Sequence, residues 1–123
     1  MQNEPARRHP LKNLKLALCS HTRIYYARSM DFEWDEAKNQ QNIAKHGIDF
    51  QDAQRIFERP FLIRPDVRRE YGEERWVALG DLHGTVVVLA FTMRKEKIRI
   101  ISVRKASKHE RKIYQDKNAS LPH

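Results

Sequence analysis

The apolar positions of the chain follow two different spacings, and the change between them predicts the order of the secondary-structure elements. Within residues 35–59, apolar side chains such as Ala53, Ile56 and Phe57 recur at helical spacing. From residue 61 to residue 106 they alternate or form short runs such as VVVLAF, which is typical of strands. A short strand, FEW, precedes the helical part. The pattern therefore predicts the order β-α-α-β-β-β-β-α.

Capping and turn residues set the limits of these elements. Asp35 is placed to cap a first helix that ends at Gly47, and Asp49 to cap a second helix that ends at Pro60. Ser107 stands three positions before a glutamate, the spacing of a capping box that starts a C-terminal helix. We predict an α+β fold in which two N-terminal helices and one C-terminal helix accompany an antiparallel sheet of about four strands. The strand segments, separated by turn signals, are FLIRPDVRR, ERWVALGD, TVVVLAFTMR and KIRIISVRKA.

The last predicted strand begins apolar and ends basic on both of its faces. Strict alternation predicts that Arg104 and Lys105 point to opposite faces, beside the amino terminus of the following helix, where free N–H groups favour a phosphate. In that helix Arg111 and Tyr114 are three positions apart and share a face, and Ile113 is the clear apolar anchor. The alternation assigns Ile98, Ile100, Ser102 and Arg104 to one face, and Arg99, Ile101, Val103 and Lys105 to the other.

The composition limits the classes of function. A chain of 123 residues forms one domain, and its formal net charge of +8 favours a polyanionic partner, nucleic acid first. No apolar run approaches the roughly 18 residues that span a bilayer. The single cysteine, Cys19, cannot form an internal disulfide, and no Cys/His cluster has the spacing of zinc ligands. We therefore predict a cytoplasmic protein that uses no metal and no cofactor.

The positive charge is concentrated at the amino terminus. Residues 1–29 contain six basic residues and one acidic residue, whereas residues 30–123 contain eighteen and fifteen. We interpret residues 1–29 as a weakly ordered extension, which an upstream start codon before Met30 would add. Residues 30–117 then form the folded domain, and residues 118–123 form a tail. The alternative is that ALCSHTRIYYA, within the extension, adds an edge strand.

Four separated strings of the sequence resemble one protein family. They are FEWDEAKNQQNIAKHGIDFQDAQRIF, EERWVALG, FTMR and RIISVRKASKHERKIY, which extend over about residues 31–115. In this order they resemble the BrnT family of bacterial type II toxins, small ribonucleases with a RelE-like fold. The family often has SARKA where this chain has SVRKA, a change that a buried strand face tolerates.

The resemblance implies a function and a set of partners. The chain would be the toxin of a type II toxin-antitoxin system, an endoribonuclease that cleaves RNA and arrests translation. A BrnA-type antitoxin would neutralise it in a hetero-oligomer and, in that complex, bind operator DNA. Two other classes remain open: a non-catalytic nucleic-acid-binding protein, and a ParE-like toxin that inhibits a protein target such as a topoisomerase.

Four side chains are candidates for the chemistry of RNA cleavage. Cleavage without a metal ion needs a base for the ribose 2′-hydroxyl, positive charge at the scissile phosphate and an acid for the 5′-oxygen. We predict that His46 takes part in proton transfer, because an imidazole titrates near pH ~6.5. We predict that Arg75, Arg94 and Arg104 converge from neighbouring strands on the phosphate, which guanidinium groups bind through paired hydrogen bonds.

Each of these candidates also has a purely structural explanation. A histidine in the last helical turn interacts favourably with the helix dipole, which would account for His46. Arg75 can pair with Glu73 or Glu74, and Arg94 can lie in an exposed hairpin turn where ion pairs contribute little. The sequence leaves both explanations open.

Four further side chains are candidates for holding the RNA: Lys45, Lys105, Arg111 and Tyr114. The lysines and Arg111 would bind by charge, and Tyr114 by stacking on a base. The structural alternative for Tyr114 is to dock the C-terminal helix on the sheet with its ring. We interpret Glu110 as a capping-box residue rather than a base.

Overall fold

The computed structural model of the protein describes residues 31–66 and 72–119. The predicted extension, with the alternative edge strand in it, lies outside the described residues, as do residues 120–123 of the predicted tail. The described part has its elements in the predicted order. They are β1 (Asp31–Glu33), α1 (Glu36–His46), α2 (Phe50–Ala53), which continues as a 3₁₀ helix (Gln54–Glu58), β2 (Leu62–Pro65), β3 (Trp76–Leu82), β4 (Thr85–Arg94), β5 (Lys97–Lys105) and α3 (Lys108–Ala119).

The strands of the described part belong to one sheet, in the order β1-β5-β4-β3-β2. β1 pairs with β5 in parallel, and the other neighbouring strands are antiparallel. The predicted α+β class is confirmed, and the sheet has five strands rather than about four. The fifth strand is β1. Its three residues have a strand pattern, but so short a pattern does not indicate which strand β1 pairs with.

Side chains from the two faces of the sheet form two separate cores. On the first face, which packs against α1, α2 and the 3₁₀ helix, Phe57 makes edge contacts with Phe61 and Phe91, at ring-centroid distances of 4.8 Å and 5.6 Å. Ile56 lies directly over Gly80, where an added Cβ would stand 2.8 Å from Cβ of Ile56, so only glycine permits this close approach. The smaller core of the second face includes residues of the sheet, of the junction after β5 and of α3: Val77, Leu79, Val86, Val88, Ala106 and Tyr114.

A β-bulge in β5 changes which side chains reach the first core. Phe91 is opposite Ile100, but Ala90 is opposite Ser102, so Ile101 is an extra residue in the strand. The strict alternation predicted from the sequence is therefore wrong beyond Ile100, since the bulge reverses the facing of every later residue. In β5, the first core contains Ile98, Ile100 and Val103, and the opposite, second face carries Arg99 and Arg104.

Two buried asparagines attach α1 to the rest of the fold. Asn42 donates from Nδ2 to the carbonyl of Ile48 at 3.0 Å and accepts at Oδ1 from the backbone N–H of Val103 at 3.1 Å. One turn earlier, Asn39 accepts at Oδ1 from the backbone N–H of Phe50 at 2.9 Å. Buried polar groups need such partners, and these bonds join α1 to β5 and to the start of α2. The helix is thereby fixed in position over the strand that carries Arg104.

We predict that Asn42→Ala lowers the free energy of unfolding by about 2 kcal/mol, because it leaves a buried donor of Val103 and a buried acceptor of Ile48 without their partner. Urea unfolding measures the change. Gln40→Ala is the matched control, since Gln40 lies exposed on the same helix and donates only to Glu36; it should change stability by less than about 0.5 kcal/mol. Equal unfolding midpoints for the two variants would contradict the prediction.

Candidate functional site

The junction between β5 and α3 is closed by a tight ion pair. Arg104 donates from Nη1 and Nη2 to the two carboxylate oxygens of Glu110, both at 2.8 Å. Glu110 also accepts from the backbone N–H of Ser107 at 2.8 Å, and its own N–H donates to Oγ of Ser107 at 3.2 Å, which confirms the predicted capping box. The hydrogen bonds from Arg104 hold the pKa of Glu110 at about 2. The amino terminus of α3 is thus capped by a carboxylate of the protein itself.

At the other end of the sheet, two arginines meet one glutamate. Arg75 lies immediately before β3, and its Nε is 3.6 Å from Oε2 of Glu73. Arg94 ends β4, and its Nη2 donates to Oε1 of Glu73 at 3.4 Å. Their strand neighbours Trp76 and Met93 contribute to the first core, which places both arginines on the second face. We call these three residues, Glu73, Arg75 and Arg94, the Glu73 cluster; they include one of the two pairings considered for Arg75.

Arg99 is a basic residue of the second face that sequence reasoning did not select. Its Nη1 donates to Oε2 of Glu33 at 3.2 Å. The available signal was its position between Ile98 and Ile100, which requires it to point away from the first core. Four arginines of the second face contact carboxylates of the chain: Arg75, Arg94, Arg99 and Arg104. We call the surface that they form the arginine face.

The arginine face is a track rather than a single point. Arg94 is opposite Lys97 at the start of β5, and Arg104 lies seven residues further along that strand. At about 3.3 Å per residue this places Arg104 roughly 20 Å from the Glu73 cluster along the sheet. The predicted convergence of Arg75, Arg94 and Arg104 is therefore observed only for the first two. Guanidinium groups spread in this way suit an extended polyanion better than one phosphate.

Three further predicted residues lie at the opposite end of the sheet from the Glu73 cluster. Lys45 and His46 lie in the last turn of α1, where the charge of Lys45 complements the helix dipole. Gly47, which follows them with a left-handed φ of 73°, lines one surface depression together with Lys105. Lys105 therefore lies near the carboxyl end of α1, which carries Lys45 and His46, and this is the opposite end of the sheet from Arg75 and Arg94.

Tyr114 and Arg111 differ in accessibility. Tyr114 is only 7% exposed, its hydroxyl donates to the carbonyl of Pro60 at 3.4 Å, and burial raises its pKa. Its ring packs in the second core and anchors α3 on the sheet, which is the structural alternative considered for Tyr114. Ile113, the anchor expected from the sequence, is exposed. The buried ring is not available for stacking on a base. Arg111 is exposed, with Nη1 donating to the carbonyl of Ala106 at 3.3 Å.

A histidine–aspartate pair lies away from the arginine face. His83, in the turn between β3 and β4, has Nε2 3.0 Å and 3.1 Å from the two carboxylate oxygens of Asp52. No local pattern links residues so far apart, so this pair could not be predicted from the sequence. Within residues 31–66 and 72–119, no group of three or more His, Cys, Asp or Glu is placed to hold a metal ion. No helix of that part is long and apolar enough to cross a membrane.

Residues 34–110 match a protein-family model described as a ribonuclease toxin, BrnT, of type II toxin-antitoxin systems. The matched region contains all of the Glu73 cluster and the whole arginine face, and it ends before Arg111 and Tyr114. No curated protein matches the chain.

We predict that the Arg104–Glu110 pair makes the fold sensitive to acid. Because the pKa of Glu110 is lowered on folding to about 2, the pair stabilises the protein above the ordinary glutamate pKa and loses this effect as the pH falls towards 2. Glu110→Gln should lower the free energy of unfolding at pH 7 by about 1–2 kcal/mol and weaken its dependence on pH below about 4.5. Denaturant unfolding across this pH range tests both. Glu58→Gln, at an exposed site, should keep the parent's pH dependence; an unchanged profile in Glu110→Gln would refute the prediction.

Proposed function

The chain belongs to the BrnT family of ribonuclease toxins of type II toxin-antitoxin systems, and on this premise we propose that it cleaves RNA without a metal ion, by attack of the ribose 2′-hydroxyl, and so arrests translation. The observation that supports this mechanism best is the meeting of Arg75 and Arg94 at one carboxylate. Two guanidinium groups that reach the same carboxylate also reach a phosphate bound beside it.

Arg75 and Arg94 would stabilise the transition state of cleavage. Attack of the 2′-oxygen adds negative charge to the phosphate oxygens, and fixed positive groups next to them lower the barrier. Arg94 is half exposed, and its contact with Glu73 engages only Nη2 of a group with five N–H donors. A phosphate can therefore bind Arg94 from the solvent side while Glu73 stays in place.

The rest of the arginine face would hold the RNA on either side of the cleaved bond. Arg99 lies next to the Glu73 cluster along the track, whereas Arg104 is about 20 Å away beside the exposed Arg111. Lys45 and Lys105 lie at the same end as Arg104 but on the first face of the sheet, and they would contact phosphates of RNA that continues around this end. His46 lies with these lysines, so we assign it to RNA binding rather than to proton transfer at the Glu73 cluster.

We further propose a BrnA-type antitoxin as the protein partner, in a hetero-oligomer that binds operator DNA. Family membership implies an antitoxin. The second face supports a partner with acidic side chains, because each arginine of the arginine face already contacts a carboxylate of this chain, at 2.8–3.6 Å. Carboxylates from a partner could make the same contacts and exclude RNA.

We predict that the purified full-length chain cleaves a defined RNA in the presence of EDTA and leaves 2′,3′-cyclic phosphate ends. Arg75→Gln and Arg94→Gln should each lower kcat/KM by about 10²–10³-fold, because each removes a positive group from the transition state. Arg55→Gln is the matched control: Arg55 is exposed and pairs with Asp52 at 3.2 Å, away from the arginine face, and its replacement should leave the rate unchanged.

Other results would point to the other classes. RNA that stays intact both free and on translating ribosomes would refute the nuclease and leave a toxin that acts on a protein target. Cleavage that EDTA abolishes would refute the metal-free mechanism. Salt-dependent binding without cleavage, with a slope that each arginine replacement reduces by about 0.7, would indicate a nucleic-acid-binding protein.

A further inference from the structure

We propose that Glu73 is the general base that removes the proton from the ribose 2′-hydroxyl. This inference rests on the proposed ribonuclease function and names a catalytic residue for it. His46, the residue that sequence reasoning selected for proton transfer, lies at the opposite end of the sheet from the two arginines that meet. Among the described residues, Glu73 is the carboxylate that contacts both of these arginines.

Of the described carboxylates that contact the arginine face, Glu73 makes the longest contacts. Glu110 accepts two hydrogen bonds of 2.8 Å from Arg104 and another from a backbone N–H, so its lone pairs are engaged. Glu33 accepts from a single arginine at 3.2 Å. The oxygens of Glu73 lie 3.4 Å and 3.6 Å from their arginine nitrogens, and its side chain is 30% exposed. Loose contacts leave lone pairs that can accept a proton from a substrate.

The arrangement places the base next to the groups that bind the phosphate. With the scissile phosphate on the solvent side of Arg94, the adjacent ribose lies within reach of Glu73. The 2′-O–H proton passes to a Glu73 oxygen while the 2′-oxygen forms a bond to phosphorus. The bond from phosphorus to the 5′-oxygen breaks, its electron pair stays on that oxygen, and a water molecule supplies the proton that the oxygen takes. The products are a 2′,3′-cyclic phosphate and a 5′-hydroxyl.

The two arginines link proton transfer to charge stabilisation. In the free protein their positive charge is shared with the Glu73 carboxylate. When that carboxylate takes a proton it loses its charge, at the moment when negative charge grows on the phosphate. The arginines then interact more strongly with the phosphate than they did before the reaction began. An interaction that strengthens in the transition state raises kcat rather than substrate affinity.

Glu73→Gln in the full-length chain tests the proposal, because glutamine keeps the size of the side chain and an oxygen that accepts from arginine but cannot act as a base. We expect kcat to fall by about 10²-fold or more, KM to stay equal or decrease, and the acidic side of the pH profile of kcat/KM to flatten. Arg75 and Arg94 are the charged groups of the described residues that contact Glu73. The control is Glu58→Gln, since Glu58 is exposed in the 3₁₀ helix, away from the arginine face; it should cleave as the parent does.

Binding of an RNA with a 2′-deoxy residue at the cleavage site separates folding from chemistry. The Glu73→Gln variant should bind this uncleavable RNA at least as tightly as the parent, because it has lost a negative charge beside the phosphate site. A fall in kcat of less than about 10-fold with the parental pH profile would overturn the assignment of Glu73 and leave the ribonuclease function in place. A parent chain that cleaves no RNA would overturn both.

Discussion

The hydrogen bond from the backbone of Val103 to the side chain of Asn42 is the contact on which the placement of Arg104, at one end of the arginine face, depends. β1 pairs with residues 97–99 of β5, so no strand of the described residues reaches Val103 on that side. The buried amide of Asn42 takes its place and also holds the loop at Ile48. This fixes Val103 towards the first core just after the bulge at Ile101, and the next residue, Arg104, must then face the other way.

The glutamates of the second face have a positional effect that exceeds their effect on stability. The guanidinium groups of the arginine face repel one another, and partly exposed ion pairs at 3.2–3.6 Å add little free energy of folding. What these pairs supply is orientation, because each carboxylate holds an arginine extended along the sheet before RNA is present. RNA phosphates then bind to cations that are already placed, which lowers the entropy lost on binding.

Local patterns in the sequence predicted the helix caps and the order of the elements, but not the contacts between residues that are far apart in the chain. Asp35 and Asp49 do cap the two N-terminal helices, and Ser107 with Glu110 does form the capping box, because each of these contacts lies within one helical turn. The bulge at Ile101 could not be predicted, since a single extra residue leaves the apolar pattern of the strand almost unchanged. The meeting of Glu73 with Arg94 could not be predicted either, because it depends on the register of β3 against β4, which the apolar pattern of two buried strands does not specify.

The two ends of the arginine face differ in how tightly their ion pairs are made, and this difference separates holding from chemistry. At the α3 end, Arg104 and Glu110 form two bonds of 2.8 Å that also cap a helix, so movement there would cost helix stability as well as the pair. At the other end, Glu73 lies 3.4 Å from Arg94 and 3.6 Å from Arg75, so both contacts are longer than those of Glu110. Glu73 caps no helix of the described residues. Glu73 can therefore gain a proton during the reaction without disturbing the fold. Glu110 cannot, because its charge holds both Arg104 and the start of α3 in place.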